Sequence, residues 1–77
     1  MRGVELGGKW ARFKEETREL RRRLADWEFI RSQPPRIRAA LELYVETGDV
    51  RLACRISGLK LEAFVRLSKK AGIPTGL

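Results

Sequence analysis

Apolar residues recur along the first part of the chain at the spacing of a coiled-coil seam. From residue 9 onward they follow one another at alternating intervals of three and four positions, and the residues between them are mostly charged. This pattern predicts an amphipathic heptad helix over residues 9–33, after a flexible, glycine-containing N-terminus over residues 1–8. The seam positions are Trp10, Phe13, Thr17, Leu20, Leu24 and Trp27.

The seam needs a partner, because an isolated helix of this length is marginal in water. We favour a second copy of the chain, since two pairs of opposite charge would face each other across a parallel homodimer. These pairs are Glu16 with Arg21 and Arg23 with Glu28. The alternative is that the seam packs on the rest of its own chain. Phe29 and Ile30 lie off the seam and are expected to pack on the second part of the chain.

Paired prolines, Pro34-Pro35, separate the two parts, because proline lacks an N–H and disfavours helical backbone in the residue before it. Pro35 suits the first turn of a new helix, which Gly48 ends. Asp49 is a good N-cap for a short helix over residues 50–57. The predicted inward-facing residues of these two helices are Ile37, Ala40, Leu41, Tyr44, Val50, Ala53, Cys54 and Ile56.

The end of the chain predicts a third helix over residues 60–71, joined to the second by a tight turn. Gly58 can adopt the positive φ that such a turn needs, and Leu59 can fill the core behind it. The predicted inward-facing residues of the third helix are Leu61, Phe64, Val65, Leu67 and Ser68. The expected fold is therefore all-α, a long N-terminal heptad helix followed by a trihelical helix-turn-helix unit over residues 34–77.

Charge adds a candidate partner to this fold. The chain carries 17 Lys and Arg against 10 Asp and Glu, a net charge of +7, and both parts contribute to the excess. A small basic body favours a polyanion, in the first place double-stranded DNA. The alternative is that the charge only keeps the chain soluble.

The residue types that are missing argue against catalysis. There is no His, and Cys54 is the single cysteine, so that a Cys/His zinc site, His-based catalysis and an internal disulfide are all excluded. We expect no enzyme and no cofactor. No apolar run approaches the roughly 20 residues of a membrane span, and no secretory signal is seen, so a cytoplasmic location is expected. The absence of Asn, with one Gln, favours a thermophilic source.

The third predicted helix carries the residues best suited to read DNA. In the major groove, Arg66 can bind a guanine with two hydrogen bonds and Ala63 can touch a thymine methyl. The expected base contacts are Lys60, Glu62, Ala63 and Arg66, and the expected phosphate contacts are Arg36, Arg38, Arg51, Arg55, Lys69 and Lys70. The alternative for Arg66 is an ion pair with Glu62 on a solvated helix face.

Residues 41–74 resemble the small archaeal and bacterial antitoxin-like helix-turn-helix proteins of uncharacterised function. The matching pieces are Leu43-Tyr44, Gly48, Ala53-Cys54, Gly58-Leu59, Glu62-Ala63-Phe64 and Gly72-Ile73-Pro74. The resemblance implies DNA binding near a promoter and, as a second option, capture of a toxin nuclease.

Together these observations predict a small homodimeric transcriptional regulator. Two recognition helices set about 34 Å apart would occupy successive major grooves and block a promoter. Two other functions remain open at this point. One is an antitoxin-like or adaptor module that binds an acidic protein, and the other is a non-specific architectural or RNA-binding protein.

Overall fold

The computed structural model describes residues 2–75, with side chains described for residues 12–75. The described residues form five helices and no strand, which confirms the all-α class. Within them, no helix is both long enough and apolar enough to cross a membrane. The helices are α1 Arg2–Leu24, α2 Trp27–Ser32, α3 Pro35–Thr47, α4 Val50–Ser57 and α5 Leu61–Lys70.

The predicted heptad helix is interrupted at Asp26, so a single helix over residues 9–33 is wrong. The Asp26 backbone is extended, and its carboxylate accepts a hydrogen bond of 3.0 Å from the N–H of Phe29, which starts α2. The N–H of Asp26 donates to the carbonyl of Ala71 at 2.7 Å instead of to a carbonyl in α1. The helix breaks because this backbone group is satisfied by a distant part of the chain.

The start of α1 also differs from the prediction, because the helix begins at Arg2 and not near Lys9. The seam role of Trp10 concerns a side chain outside the described residues, and the structure does not test the expected flexibility of residues 1–8. Both stay predictions.

The three helices of the second part lie where the sequence predicts them, to within one residue at each end. Gly48 and Gly58 end α3 and α4 with φ of 71° and 75°, in the left-handed region that favours glycine. The carboxylate of Asp49 accepts a hydrogen bond of 3.1 Å from the N–H of Leu52 and caps α4. Lys60 precedes α5 without a side-chain cap.

The core forms where α2, α3, α4 and α5 meet. The rings of Tyr44 and Phe64 pack edge to face, with centroids 5.5 Å apart, and burial raises the pKa of the Tyr44 phenol. Ser68 is fully buried, and its hydroxyl donates to the carbonyl of Phe64 at 2.9 Å, which satisfies the polar group. As predicted, Ile30 is buried and Phe29 packs at the edge of the core.

Helix α1 docks on the end of α3 mainly through arginine side chains. The buried Arg21 donates from Nε to the carbonyl of Val45 at 2.8 Å, near Gly48. Arg22 binds both carboxylate oxygens of Glu46, at 2.9 and 2.6 Å. The contact therefore uses the polar side of α1 and leaves the heptad seam on another side.

The Arg22–Glu46 pair makes this docking sensitive to acid. Hydrogen bonds from Arg22 hold the pKa of Glu46 below its ordinary value of 4.5. A carboxylate whose pKa is lowered by folding stabilises the fold above its unfolded pKa, and this contribution is lost as the pH falls through the folded pKa. We expect Glu46→Gln to lower the Tm by about 1–3 °C at neutral pH, since the pair is largely exposed. Below pH 4.5 the difference from the wild type should shrink toward zero.

Thermal melts followed by circular dichroism at neutral pH and at roughly pH 2.5 measure this effect. Glu42→Gln is the control, because the Glu42 side chain is 50% exposed, against 44% for Glu46, and its Oε1 lies 4.0 Å from Nε of Arg38 within the same helix. Equal shifts in the two variants would contradict the docking role of Glu46.

Candidate nucleic-acid interface

One side of α5 carries the exposed polar residues of that helix together with Ala63. Phe64 and Ser68 are buried on the opposite side, one turn apart. The exposed positions follow one another at the spacing of a single helix face. They are Glu62, Ala63, Arg66, Lys69 and Lys70. This arrangement leaves the outward face of α5 accessible along its whole length.

The structure brings the four predicted base contacts together. Lys60, Glu62, Ala63 and Arg66 are all exposed and line one shallow, open depression of about 540 Å³ at the start of α5, together with Leu61. In the part of the chain with described side chains, Arg66 forms no ion pair within 4.0 Å. The alternative pairing with Glu62 is therefore not formed, and the guanidinium is available to a ligand.

Leu61 is a residue of this surface that the sequence prediction placed wrongly. It was expected to face inward, but 54% of it is exposed. Leu59 packs against the core from the turn, whereas Leu61 at the first position of α5 lies on the surface. Leu61 lines the same depression as Ala63, and an exposed apolar side chain there can contact a thymine methyl. The sequence contained a signal for this exposure, because Leu59 and Leu61 flank Lys60 and only Leu59 packs against the core.

Helix α4 adds two more exposed cations. Arg51 and Arg55 lie four residues apart and so share one side of the helix, next to the partly exposed Leu52. The opposite side of α4 carries the buried Ala53 and Ser57. The predicted phosphate contacts on α4 thus point to solvent, as do Lys69 and Lys70 at the end of α5.

Arg36 and Arg38 both lie on α3 but have different contacts. The Nε of Arg36 donates to the carbonyl of Ile56 at 2.7 Å, and its guanidinium lies beside Gly58. Arg36 therefore closes the end of α4 and braces the turn before α5. Arg38 is exposed, and its closest acidic partner is Glu42 at 4.0 Å. The sequence could not reveal this structural role of Arg36, because the acceptor is a backbone carbonyl twenty residues away.

Three predicted seam residues form an exposed stripe on α1. Phe13, Leu20 and Leu24 are 49%, 38% and 52% exposed. Thr17 between them is half-buried, and its hydroxyl donates to the carbonyl of Lys14. Leu20 and Leu24 are therefore not buried against the second part of the chain.

Trp27 does not belong to this stripe, which corrects the predicted seam. It lies in α2, packs against the core and donates from its indole N–H to the carbonyl of Arg22 at 2.9 Å. The interruption at Asp26 carries the chain off the axis of α1, and Trp27 follows it. For the same reason Glu28 lies beyond the seam helix, while Arg21 is buried against Val45. The charge pairs expected across a parallel dimer are therefore incomplete. Glu16 lacks Arg21, and Arg23 lacks Glu28.

The described residues offer little for metal or covalent chemistry. Within the part of the chain that the structure describes, no three His, Cys, Asp or Glu side chains are grouped so as to hold a metal ion. Cys54 is half-buried in α4, and desolvation raises the pKa of its thiol, which reduces the thiolate fraction. The chemistry available at this surface is hydrogen bonding and charge attraction from Arg and Lys.

Comparisons with known proteins add no second source of information about this surface. Neither the protein families, nor the curated proteins, nor the solved structures include a significant match to the chain. The resemblance to antitoxin-like proteins therefore stays a prediction, and the function has to be inferred from the geometry.

The bracing role of Arg36 can be separated from its charge. Arg36→Lys keeps the charge but removes the Nε donor to Ile56, and we expect a loss of stability of about 1 kcal/mol, the usual contribution of one hydrogen bond. Arg38→Lys is the matched control in the same helix, with an expected change within about 0.5 kcal/mol. Urea denaturation measures both. If the free energy of unfolding of Arg36→Lys equals that of the wild type, the hydrogen bond to Ile56 contributes nothing to folding.

Proposed function

We propose that the chain is a sequence-specific DNA-binding protein of the helix-turn-helix type. In this proposal α3 is the bracing helix, α4 and the turn from Gly58 to Lys60 position α5, and α5 enters the major groove. The observation that carries the proposal is the outward face of α5. It presents Arg66, Lys69 and Lys70 to solvent beside the open depression at the start of the helix.

The exposed residues divide into two roles on DNA. Those at the start of α5 contact bases: Arg66 binds a guanine, while Ala63 and Leu61 contact thymine methyl groups. Lys60 and Glu62 complete this set. The cations around it bind phosphates and fix the register of the helix in the groove. These are Arg51, Arg55, Lys69, Lys70 and Arg38, with Arg36 contributing only the guanidinium N–H groups that do not bind Ile56.

The active form in this proposal is a homodimer that pairs through α1. The exposed leucines Leu20 and Leu24 supply the apolar contact, and Phe13 extends the stripe by two turns. Glu16 and Arg23 flank the same side of the stripe, seven residues apart, so that antiparallel pairing of the two α1 helices would place each of them opposite the other residue of the partner subunit. A dimer that holds two α5 helices about 34 Å apart covers two successive major grooves and excludes other proteins from a promoter.

Selection of bound duplexes from a random pool, followed by fluorescence anisotropy at several salt concentrations, tests DNA recognition. We expect the selected site to bind at least ~1000-fold more tightly than random duplex, with a steep salt dependence. Arg66→Ala should weaken binding by about 1–3 kcal/mol and relax the preference at one base pair. Lys70→Ala, the control, should weaken binding to all sequences alike and lower the salt slope by about one.

The other outcomes identify the alternative functions. Equal affinity for all duplexes, or a preference for RNA, would replace this proposal with an architectural or RNA-binding protein. Absence of nucleic-acid binding would leave a module that binds an acidic protein, such as an antitoxin with its toxin.

Sedimentation at micromolar concentration tests the dimer. We expect a dimer for the wild type and a monomer for Leu20→Glu/Leu24→Glu, because charged side chains in the stripe prevent burial of the apolar contact. Leu52→Glu is the control, since Leu52 and Leu20 are both 38% exposed but Leu52 lies on α4. A monomeric wild type contradicts the proposal, and a variant that remains dimeric places the interface elsewhere.

A further inference from the structure

The turn after α5 contacts the junction between α1 and α2 backbone to backbone. The N–H of Asp26 donates to the carbonyl of Ala71 at 2.7 Å. Gly72 lies so close to Leu24 that a Cβ built on it would be 2.8 Å from the Leu24 carbonyl oxygen. Ala25 and Ala71 are both buried beside this contact. We call these five residues, Leu24 to Asp26 with Ala71 and Gly72, the junction clasp.

The clasp has little freedom to change shape. Gly72 has a φ of 72°, and the N–H of Ile73 behind it donates to the carbonyl of Ser68 at 3.0 Å, which closes the end of α5. Ile73 is itself buried in the core. A contact between two backbones cannot be relieved by rotating a side chain. The end of α5 can therefore move relative to the end of α1 only if the clasp opens.

The clasp joins the two helices that carry the proposed function. The dimer stripe ends at Leu24, and Lys69 and Lys70 end the DNA-facing helix immediately before Ala71. In a dimer, the separation of the two α5 helices depends on the angle at which each α5 leaves its α1. That separation has to match one turn of the double helix, roughly 34 Å.

We infer that the junction clasp sets the half-site spacing that the dimer accepts, with Gly72 as its positioning residue. This inference rests on the proposed function. It assigns specificity for the distance between half-sites to backbone contacts of Asp26, Ala71 and Gly72, three residues that the proposed function places neither on the bases nor on the partner subunit. Sequence preference within a half-site belongs to α5, and spacing belongs to the clasp.

The chain offers a matched control for Gly72. Gly58 has almost the same φ, 75°, but the atoms nearest to a Cβ there belong to the end of the Arg36 side chain, at 3.4 Å. Asn tolerates positive φ better than most residues, so Gly72→Asn and Gly58→Asn share the same modest strain. Only Gly72→Asn adds a collision with a backbone carbonyl.

The experiment measures the affinity of each variant for three kinds of duplex. These are the selected site, the same site with one base pair added or removed between its halves, and a single half-site. We expect the wild type to prefer the natural spacing by about tenfold or more, because both recognition helices have to bind at once. Gly58 lies in the turn that positions α5, so the control is read as the ratio of the affinities for the two spacings, which should remain that of the wild type in Gly58→Asn whatever its half-site affinity. Gly72→Asn should lose most of this preference or shift it, with its half-site affinity unchanged within about twofold.

Two results overturn the inference. One is that the Gly72→Asn variant keeps the spacing preference of the wild type. The other is a loss of half-site affinity equal to the loss on the full site, which would show that the clasp acts on α5 itself. The half-site measurement also distinguishes this failure from failure of the proposed function, since a wild type that prefers no half-site sequence does not recognise DNA specifically.

A measurement without DNA tests the clasp directly. Spin labels on Lys70→Cys, with Cys54→Ser removing the native thiol, report the distance between the two α5 helices of a dimer. We expect one narrow distance for the otherwise unchanged protein and for Gly58→Asn, and a shifted or broadened one for Gly72→Asn. Identical distances in the three spin-labelled proteins overturn the inference, whatever the result of the DNA-binding measurements.

A second pair of variants serves if Gly72→Asn does not fold. Asp26→Pro and Asp26→Ala both remove the carboxylate that caps α2, but only proline also removes the N–H that donates to Ala71. The φ of −84° at Asp26 is close to the range of proline. The same shift in distance is expected for Asp26→Pro and not for Asp26→Ala, and equal behaviour of the two contradicts the role of the clasp.

Discussion

The hydrogen bond from the N–H of Asp26 to the carbonyl of Ala71 determines how this small chain is organised. It takes a backbone donor out of what would otherwise be one continuous helix, and the helix ends at Leu24 because that donor is used elsewhere. The carboxylate of the same residue then starts α2. One residue thereby turns the chain and starts the helix that carries Ile30 into the core.

Arginine has a structural use here that a count of charges does not show. Arg21 and Arg36 each donate from Nε to a carbonyl in the last turn of a helix, the former in α3 and the latter in α4. Each guanidinium also lies beside the left-handed glycine that ends that helix. A cation near the C-terminus of a helix complements both the unpaired carbonyls and the helix dipole. The basic surface proposed for DNA is therefore smaller than the net charge of +7 suggests, and it concentrates on α4 and α5.

The helices of the second part of the chain could be predicted mostly from local signals in the sequence. The proline at the start of α3, the aspartate before α4 and the glycines after α3 and α4 each act within a few residues, so they locate the helix ends from sequence alone. The exposed residues of α5 followed from the period of the helix in the same way. Leu61 was misplaced because periodicity gives the direction of a side chain but not whether another element covers it: Leu59 packs against the core, whereas 54% of Leu61 is exposed.

The sequence by itself determined the all-α class, the ends of α3, α4 and α5, and the outward face that α5 offers to a ligand. All of these depend on residues within one or two turns of each other. Only the tertiary structure decided that the heptad helix stops before Trp27, that Arg21 and Arg36 serve as helix-end partners, and that Gly72 packs on Leu24. These features join groups about 20 to 50 residues apart, mostly through backbone carbonyls. Every residue except proline has the same N–H and carbonyl groups, so no pattern of side chains along the sequence marks which of them will meet.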